Sequence, residues 1–196
     1  METFQCIITC LNKACQNPIL YELLDRLAKY DNTTWQHSIH VAAYCVQMGH
    51  HLSYSQDQLL ELTIGGLLHD IGKLTIPLSI LKKPDALTDE EYKLIQHHPQ
   101  ASYKILSQTG FPERICQMTL FHHRNFDGTG YPNLMAPMKG LDTMIQIIHL
   151  CDAYDALRAE RPYKQHLPHR IVMDLLTPYV NQRYDPALLD ILSNLT

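Results

Sequence analysis

Strand-like alternation of apolar and polar residues is nearly absent from this chain. So are long apolar runs, strong charge of either sign and closely paired cysteines. Without the period-2 pattern of a half-buried strand, a sheet protein is excluded and an all-α fold is expected. The apolar segment 4–11 is too short and too interrupted to cross a bilayer, so no membrane contact is expected. A net charge of −4, from 16 Lys and Arg against 20 Asp and Glu, lacks the basic surface that DNA or RNA binding needs. It leaves nucleotide substrates open, because bound metal ions bring local positive charge. Six cysteines stand at 6, 10, 15, 45, 116 and 151, and no two form Cys-x-x-Cys, which argues against a zinc ribbon or a redox pair. With no secretory signal in the 196 residues, reduced thiols and a cytoplasmic location are expected. No repeat or low-complexity linker divides the chain. Its length suits one domain, or a domain with a short extension.

Helix punctuation is plentiful. Ile19, Leu20, Leu23, Leu24 and Leu27 make a helical stripe over 18–30, and 34–51 is a second amphipathic stretch. Ser55-x-x-Gln58 reads as a capping box opening a third helix to about Ile71, and Thr88-x-x-Glu91 opens a fourth. Gly110 closes one helix and Pro112 starts another over roughly 112–124. An apolar helix covers 141–158, and Asp185-Pro186 is a cap followed by a first-turn proline. The expectation is a bundle of about eight helices with a site at its centre.

Twelve histidines are the one compositional excess. The adjacent pair His69-Asp70 offers an imidazole and a carboxylate at the end of an apolar helix. Such a pair suits a metal that activates water, although a lone His there would also be favoured by the helix dipole. His37, His98, the doublet His122-His123 and Asp152 recur at intervals of about one helix. Residues 122 and 123 lie about 100° apart on a helix, so both serve one site only if it wraps around the helix end. Asp152 falls on the stripe Ile145, Ile148, Asp152, Ala156, where a carboxylate is costly unless it is paired or bound to metal. Asp155, one turn on, could orient a ligating histidine.

The segments His37-Ser38, Leu68-His69-Asp70-Ile71-Gly72-Lys73, His98-Pro99, His122-His123, Asp127-Gly128-Thr129-Gly130-Tyr131-Pro132, Asp152-Ala153-Tyr154-Asp155-Ala156-Leu157 and Arg161-Pro162-Tyr163 occur in this order. Together they resemble an HD-GYP domain, the cyclic di-GMP phosphodiesterase branch of the HD superfamily. The resemblance runs from about Thr33 to the C-terminus, so 31–196 is expected to be the domain and 1–30 a short helical extension. It implies an HD-domain helical bundle around a central metal site, with His37, His69, Asp70, His98, His122, His123 and Asp152 as ligands. It selects His37 over His40, and His98, followed by Pro99, over His97. Asp70 and Lys73 are the implied catalytic pair. Gly130, Tyr131 and Pro132 form an implied substrate lip, with Tyr131 beside a guanine. Lys73, Arg161 and Lys164 are the implied phosphate contacts.

Two positions depart from the pattern. Members with three metals carry a Glu four residues before the first ligand; here it is Thr33, which favours two ions. The residue after the doublet is commonly Glu; here it is Arg124, expected to invert a charge at the site rim.

The resemblance implies a bacterial signalling enzyme. It would hydrolyse cyclic di-GMP to the linear dinucleotide, or onward to GMP, with two divalent ions, iron or manganese, stabilising the attacking and leaving oxygens. The ligand set alone also admits zinc or nickel. Three other readings stay open: an interaction module with lost chemistry, a phosphohydrolase for another nucleotide, and a phosphodiesterase for mixed cyclic GMP-AMP. No receiver or sensor domain is recognised in these residues. Regulation is therefore expected from a protein partner such as a diguanylate cyclase or sensor, from the short N-terminus or from expression; a homodimer is a further expectation.

Overall fold

A computed structural model describes residues 2–134, 142–159 and 166–195. The described residues form helices only: α1 (Glu2–Cys15), α2 (Pro18–Tyr30), α3 (Asn32–His51), α4 (Gln56–Leu68), α5 (Leu78–Leu81), α6 (Asp89–Gln96), α7 (His98–Gln108), α8 (Glu113–Phe121), α9 (Thr143–Arg158), α10 (His169–Leu176) and α11 (Pro186–Ser193). Short 3-10 turns occupy Ile71–Thr75 and Thr177–Tyr179.

The local signals act as the sequence predicts. Ser55 with Gln58, and Thr88 with Glu91, form reciprocal capping boxes. Asn17 caps α2 ahead of Pro18, Asp31 caps α3, and Asp185 caps α11 ahead of Pro186.

Eleven helices lie among the described residues against the eight or so expected, and three of the breaks fall at candidate ligands. α4 stops at Leu68 rather than near Ile71, leaving His69 at its C-cap. The helix opened by Thr88 ends at Gln96, and α7 begins at His98. Pro99 disfavours a helical residue before it and cannot donate to the preceding turn. α8 ends at Phe121, three residues short of 124, so the doublet lies beyond it.

Two large cores hold the bundle, and a smaller one seats Ile7 and Cys10 of α1 against Val46 and Leu59. In the larger, Ile145, Ile147, Ile148, Cys151 and Tyr154 of α9 pack with Val41, Cys45 and Met48 of α3, with Met118 of α8, and with Leu188 and Leu192 of α11. The second joins Leu20, Leu23, Leu24 and Leu27 of α2 to Leu67, Leu68, Ile71, Leu106 and Ile115. A Cβ at Gly66 would meet the Ala42 Cα at 2.9 Å, so that glycine sets how closely α4 lies on α3. No helix among the described residues is long and apolar enough to cross a membrane.

Candidate metal centre

Three histidines are aimed by one local device. The ring Nδ1 of His69 meets Gly66 O at 2.8 Å, that of His98 meets Ile95 O at 2.6 Å, and that of His122 meets Thr119 O at 2.8 Å. Each takes a carbonyl three residues back, one of those a helix end leaves without an intrahelical partner. In the tautomer that donates from Nδ1, each ring leaves an unprotonated Nε2 lone pair pointing inward.

These lone pairs converge. Nε2 of His98 and Nε2 of His122 stand 3.2 Å apart. With both protons on Nδ1, neither nitrogen can donate to the other, and a shared cation would satisfy both. His69 Nε2 and Asp70 Oδ1 are buried without a hydrogen-bond partner among the described residues. Asp70 faces two ways: Oδ1 lies 3.1 Å from His98 Nε2, while Oδ2 lies 3.3 Å from His69 Nε2 and 3.9 Å from His37 Nε2. Ligand atoms of His98, His122 and His123 group within 4.8 Å of one another, as do those of His37, His69 and Asp70, and those of His69, His122 and Asp152. Neutral imidazoles and ionised carboxylates at this spacing fit divalent cations.

Electrostatics support that donor set. Burial pushes His122 well below the usual histidine range, helped by His123, His69 and His98. Burial likewise lowers His123 to about 3. Burial alone would raise Asp70 and Asp152, yet Lys73 and His69 hold Asp70 well below the carboxylate range, and His37 and His123 do the same for Asp152. Lys73 Nζ contacts Asp70 Oδ2 at 2.5 Å.

His37 is held differently. It sits within α3, with Nδ1 on Asp155 Oδ2 at 2.7 Å and Nε2 on Asp152 Oδ1 at 2.9 Å. Burial opposes its protonation, but the hydrogen bonds to Asp152 and Asp155 outweigh it and raise its pKa to about 9. A metal at His37 therefore displaces a proton.

The structure brings together all seven predicted ligands: His37, His69, Asp70, His98, His122, His123 and Asp152. It keeps apart the neighbours that the family pattern rejects. His97 is exposed and paired with Gln100, and His40 is exposed with Nδ1 3.3 Å from Asp155 Oδ1. The doublet does wrap around a helix end, its rings 4.1 Å apart and tilted by 43°. Asp155 is the orienting acceptor expected of it.

In the lip, the Tyr131 ring lies over His123 at 4.5 Å and 32°. Gly130 has φ +91, and a Cβ there would meet His123 O at 2.3 Å, so only glycine lets the lip fold onto the doublet. Pro132 is buried behind it. Arg124 is corrected from a rim charge to a buried brace: 9% exposed, it donates from Nη1 to Pro132 O at 3.1 Å and to Leu134 O at 3.4 Å. Arg161 and Lys164 lie outside the described residues.

Two residues escaped sequence reasoning. Ser102 Oγ accepts from Gly72 N at 2.8 Å and donates to His69 O at 3.0 Å, stitching the His69-Asp70 turn to α7. That contact needs Gly72, where a Cβ would meet His98 O at 2.0 Å. His149 is buried on α9, with Nδ1 on His122 O at 2.8 Å, and ties α9 to the doublet. Ser102 four residues after His98, and His149 three before Asp152, share a helical face with a predicted ligand, which was the available signal.

Comparison with known proteins follows the same lines. The HD domain family model matches residues 15–188. A cyclic di-GMP phosphodiesterase of Pseudomonas aeruginosa is 36% identical over 143 residues, 72% of this chain and 34% of that protein. A 3'3'-cGAMP-specific phosphodiesterase of Vibrio cholerae is 33% identical over 160 residues, 81% of this chain and 37% of that protein. The chain thus spans little more than a third of the length of these relatives. The HD domain of the Listeria monocytogenes phosphodiesterase PgpH, solved with cyclic di-AMP, superposes with a TM-score of 0.68 at 18% identity, over 88% of this chain and 92% of that one. That likeness shows the fold.

Proposed function

The chain belongs to the HD domain family, and from that premise we propose that it is a metal-dependent phosphodiesterase hydrolysing cyclic di-GMP to the linear dinucleotide. The observation that carries this reading is the convergence of five histidines and two aspartates, with His69 Nε2 and Asp70 Oδ1 buried and without a hydrogen-bond partner among the described residues. Two divalent ions bound there, iron or manganese, would supply Lewis acidity at the phosphodiester and a nucleophilic water at neutral pH.

The chain's own residues then have distinct tasks. His98, His122 and His123 would hold one ion, and His37, His69 and Asp152 the other. Asp70, whose Oδ1 faces His98 and whose Oδ2 faces His69 and His37, would serve both groups. Lys73 keeps Asp70 ionised and stands at the mouth of the site, 23% exposed, where it can meet a phosphate oxygen. Tyr131 covers His123 and narrows access beside it. Gly130 and Pro132 shape that lip. Arg161 and Lys164 are assigned to the substrate phosphate by family resemblance. Residues 1–30 are read as a helical extension on a domain spanning 31–196, and the location as cytoplasmic.

Mixed cyclic GMP-AMP is the second substrate reading, favoured by the Vibrio cholerae relative. Anaerobic purification, metal analysis and turnover of a panel of cyclic dinucleotides test both. About two ions per chain and release of a linear dinucleotide are expected. Retention of no transition metal, or no turnover of any cyclic dinucleotide with metal bound, overturns the proposal.

A further inference from the structure

Beside the His37 end of the centre lies a cleft of about 310 Å³. Its floor is one strip of α3, made of Thr33, Gln36, His37, His40 and Tyr44. These positions recur at three- and four-residue steps, so they form a single helical face. Asp155 and Arg158 of α9 stand opposite. The volume sits at the small end of ligand clefts. It has room for one nucleoside and not for two.

We infer that this cleft is a nucleoside subsite, taking the purine base of the half-substrate attached to the phosphodiester at the metal centre. The inference rests on the cyclic dinucleotide reading above. Three observations carry it. First, the strip begins at a ligand. His40 and Tyr44 lie roughly 4–11 Å along the helix axis from His37, about the reach from phosphate to base within one nucleotide. Second, the lining matches a base edge. The Gln36 side chain is exposed and makes no hydrogen bond to any described residue, and its carboxamide presents a donor and an acceptor in one plane, as a purine edge does. His40 meets Asp155 through Nδ1, leaving Nε2 available to a ligand. Third, the walls are fixed. The Tyr44 ring packs edge-on against Tyr154 at 5.0 Å, and Arg158 donates to the Tyr154 hydroxyl at 2.5 Å. Ala159 and His166, the described residues on either side of the segment carrying Arg161 and Lys164, also line the cleft.

The lip and the cleft therefore flank the centre from opposite ends: Tyr131 at His123, and Gln36 at His37. A two-base substrate bridging the centre would meet both.

The test compares two substrates on the metal-loaded full chain. Cyclic di-GMP carries bases; bis(p-nitrophenyl) phosphate carries none. Gln36→Leu removes the carboxamide from an exposed helical position, and Gln36→Trp fills the cleft. Leucine should raise KM for cyclic di-GMP about 3–10-fold, the loss of a net hydrogen bond or two, with kcat little changed. Tryptophan should raise it further. In both, the loss of kcat/KM on cyclic di-GMP should exceed the loss on the base-free diester. Metal content by elemental analysis should match wild type. Equal losses on the two substrates, or a KM within twofold of wild type for both variants, overturn the subsite. If wild type cleaves the simple diester but no cyclic dinucleotide, the underlying reading fails, and the subsite with it.

Discussion

At one end of the centre His98 and His122 hang from backbone carbonyls three residues back, while at the other His37 is held between the carboxylates of Asp152 and Asp155. The first arrangement is fixed by helix ends, and burial there holds His122 well below the usual histidine range. The second is built from side chains and keeps its histidine protonated until something displaces the proton. Backbone-held ligands are oriented by the main chain, whereas a carboxylate-held ligand whose pKa is raised couples metal loading to pH and to its neighbours.

The most severe way to break the comparison is to remove what both ends share. Asp70→Ala should abolish dinucleotide turnover and release metal from both ends, leaving a folded chain by circular dichroism. Elemental analysis decides it: one ion retained at full occupancy would show that Asp70 does not join the two groups.

Next comes pH. His37 titrates near 9, so Mn²⁺ affinity at its end should rise about tenfold per unit from pH 7 to 9 and then level off. The His98 end should change little over that range. Competitive chelator titrations would separate the two steps. Stability of the metal-free chain carries the same signature. His37 is raised above 6.5, so its contribution is full below about 6.5 and is lost as pH rises through about 9. His123 is lowered to about 3, so its contribution is present above 6.5 and is lost as pH falls toward 3. Thermal unfolding in chelator should therefore peak near neutral pH, and a monotonic rise toward pH 10 would contradict the His37 assignment.

Asp155→Ala sharpens the contrast by touching one end alone. It removes the acceptor at His37 Nδ1 and should weaken metal binding there by about 10–100-fold, sparing the other site. Ser102→Ala acts on the turn that carries His69 and Asp70. It strips Gly72 N and His69 O of a buried partner and should cost about 1–3 kcal/mol in denaturant unfolding. The smallest effect is expected from Arg124→Ala, which frees the lip from its brace. KM should rise about 3–10-fold with metal content intact, the equivalent of a net hydrogen bond or two. An unchanged KM would show that the lip holds its place without Arg124.

Much of the centre was readable along the chain, because helix caps and metal ligands are residue types with short-range signatures. Ser55 with Gln58, and Thr88 with Glu91, marked helix starts before any packing was known. Asp152 announced itself as a carboxylate on an apolar stripe. Helix ends were harder to read. α4, α6 and α8 each stop where a histidine ring takes the carbonyl three residues back, and that side-chain geometry has no periodic signal. Ser102 drew no notice and Arg124 was read as a rim charge, since their partners, the His69 turn and the Pro132 carbonyl, lie across the fold or around a loop.

The sequence by itself determined the class of fold, the ligand types and their order, because amphipathic period, capping chemistry and the donor atoms of His and Asp belong to residues and near neighbours. Tertiary structure alone decided which donors converge, which carboxylates hold His37, and where the cleft opens beside it. Those depend on distances between α3, α4, α7, α8 and α9. These distances are set by close packing at places such as Gly66 and Gly72, where the absence of a single Cβ lets two backbones meet.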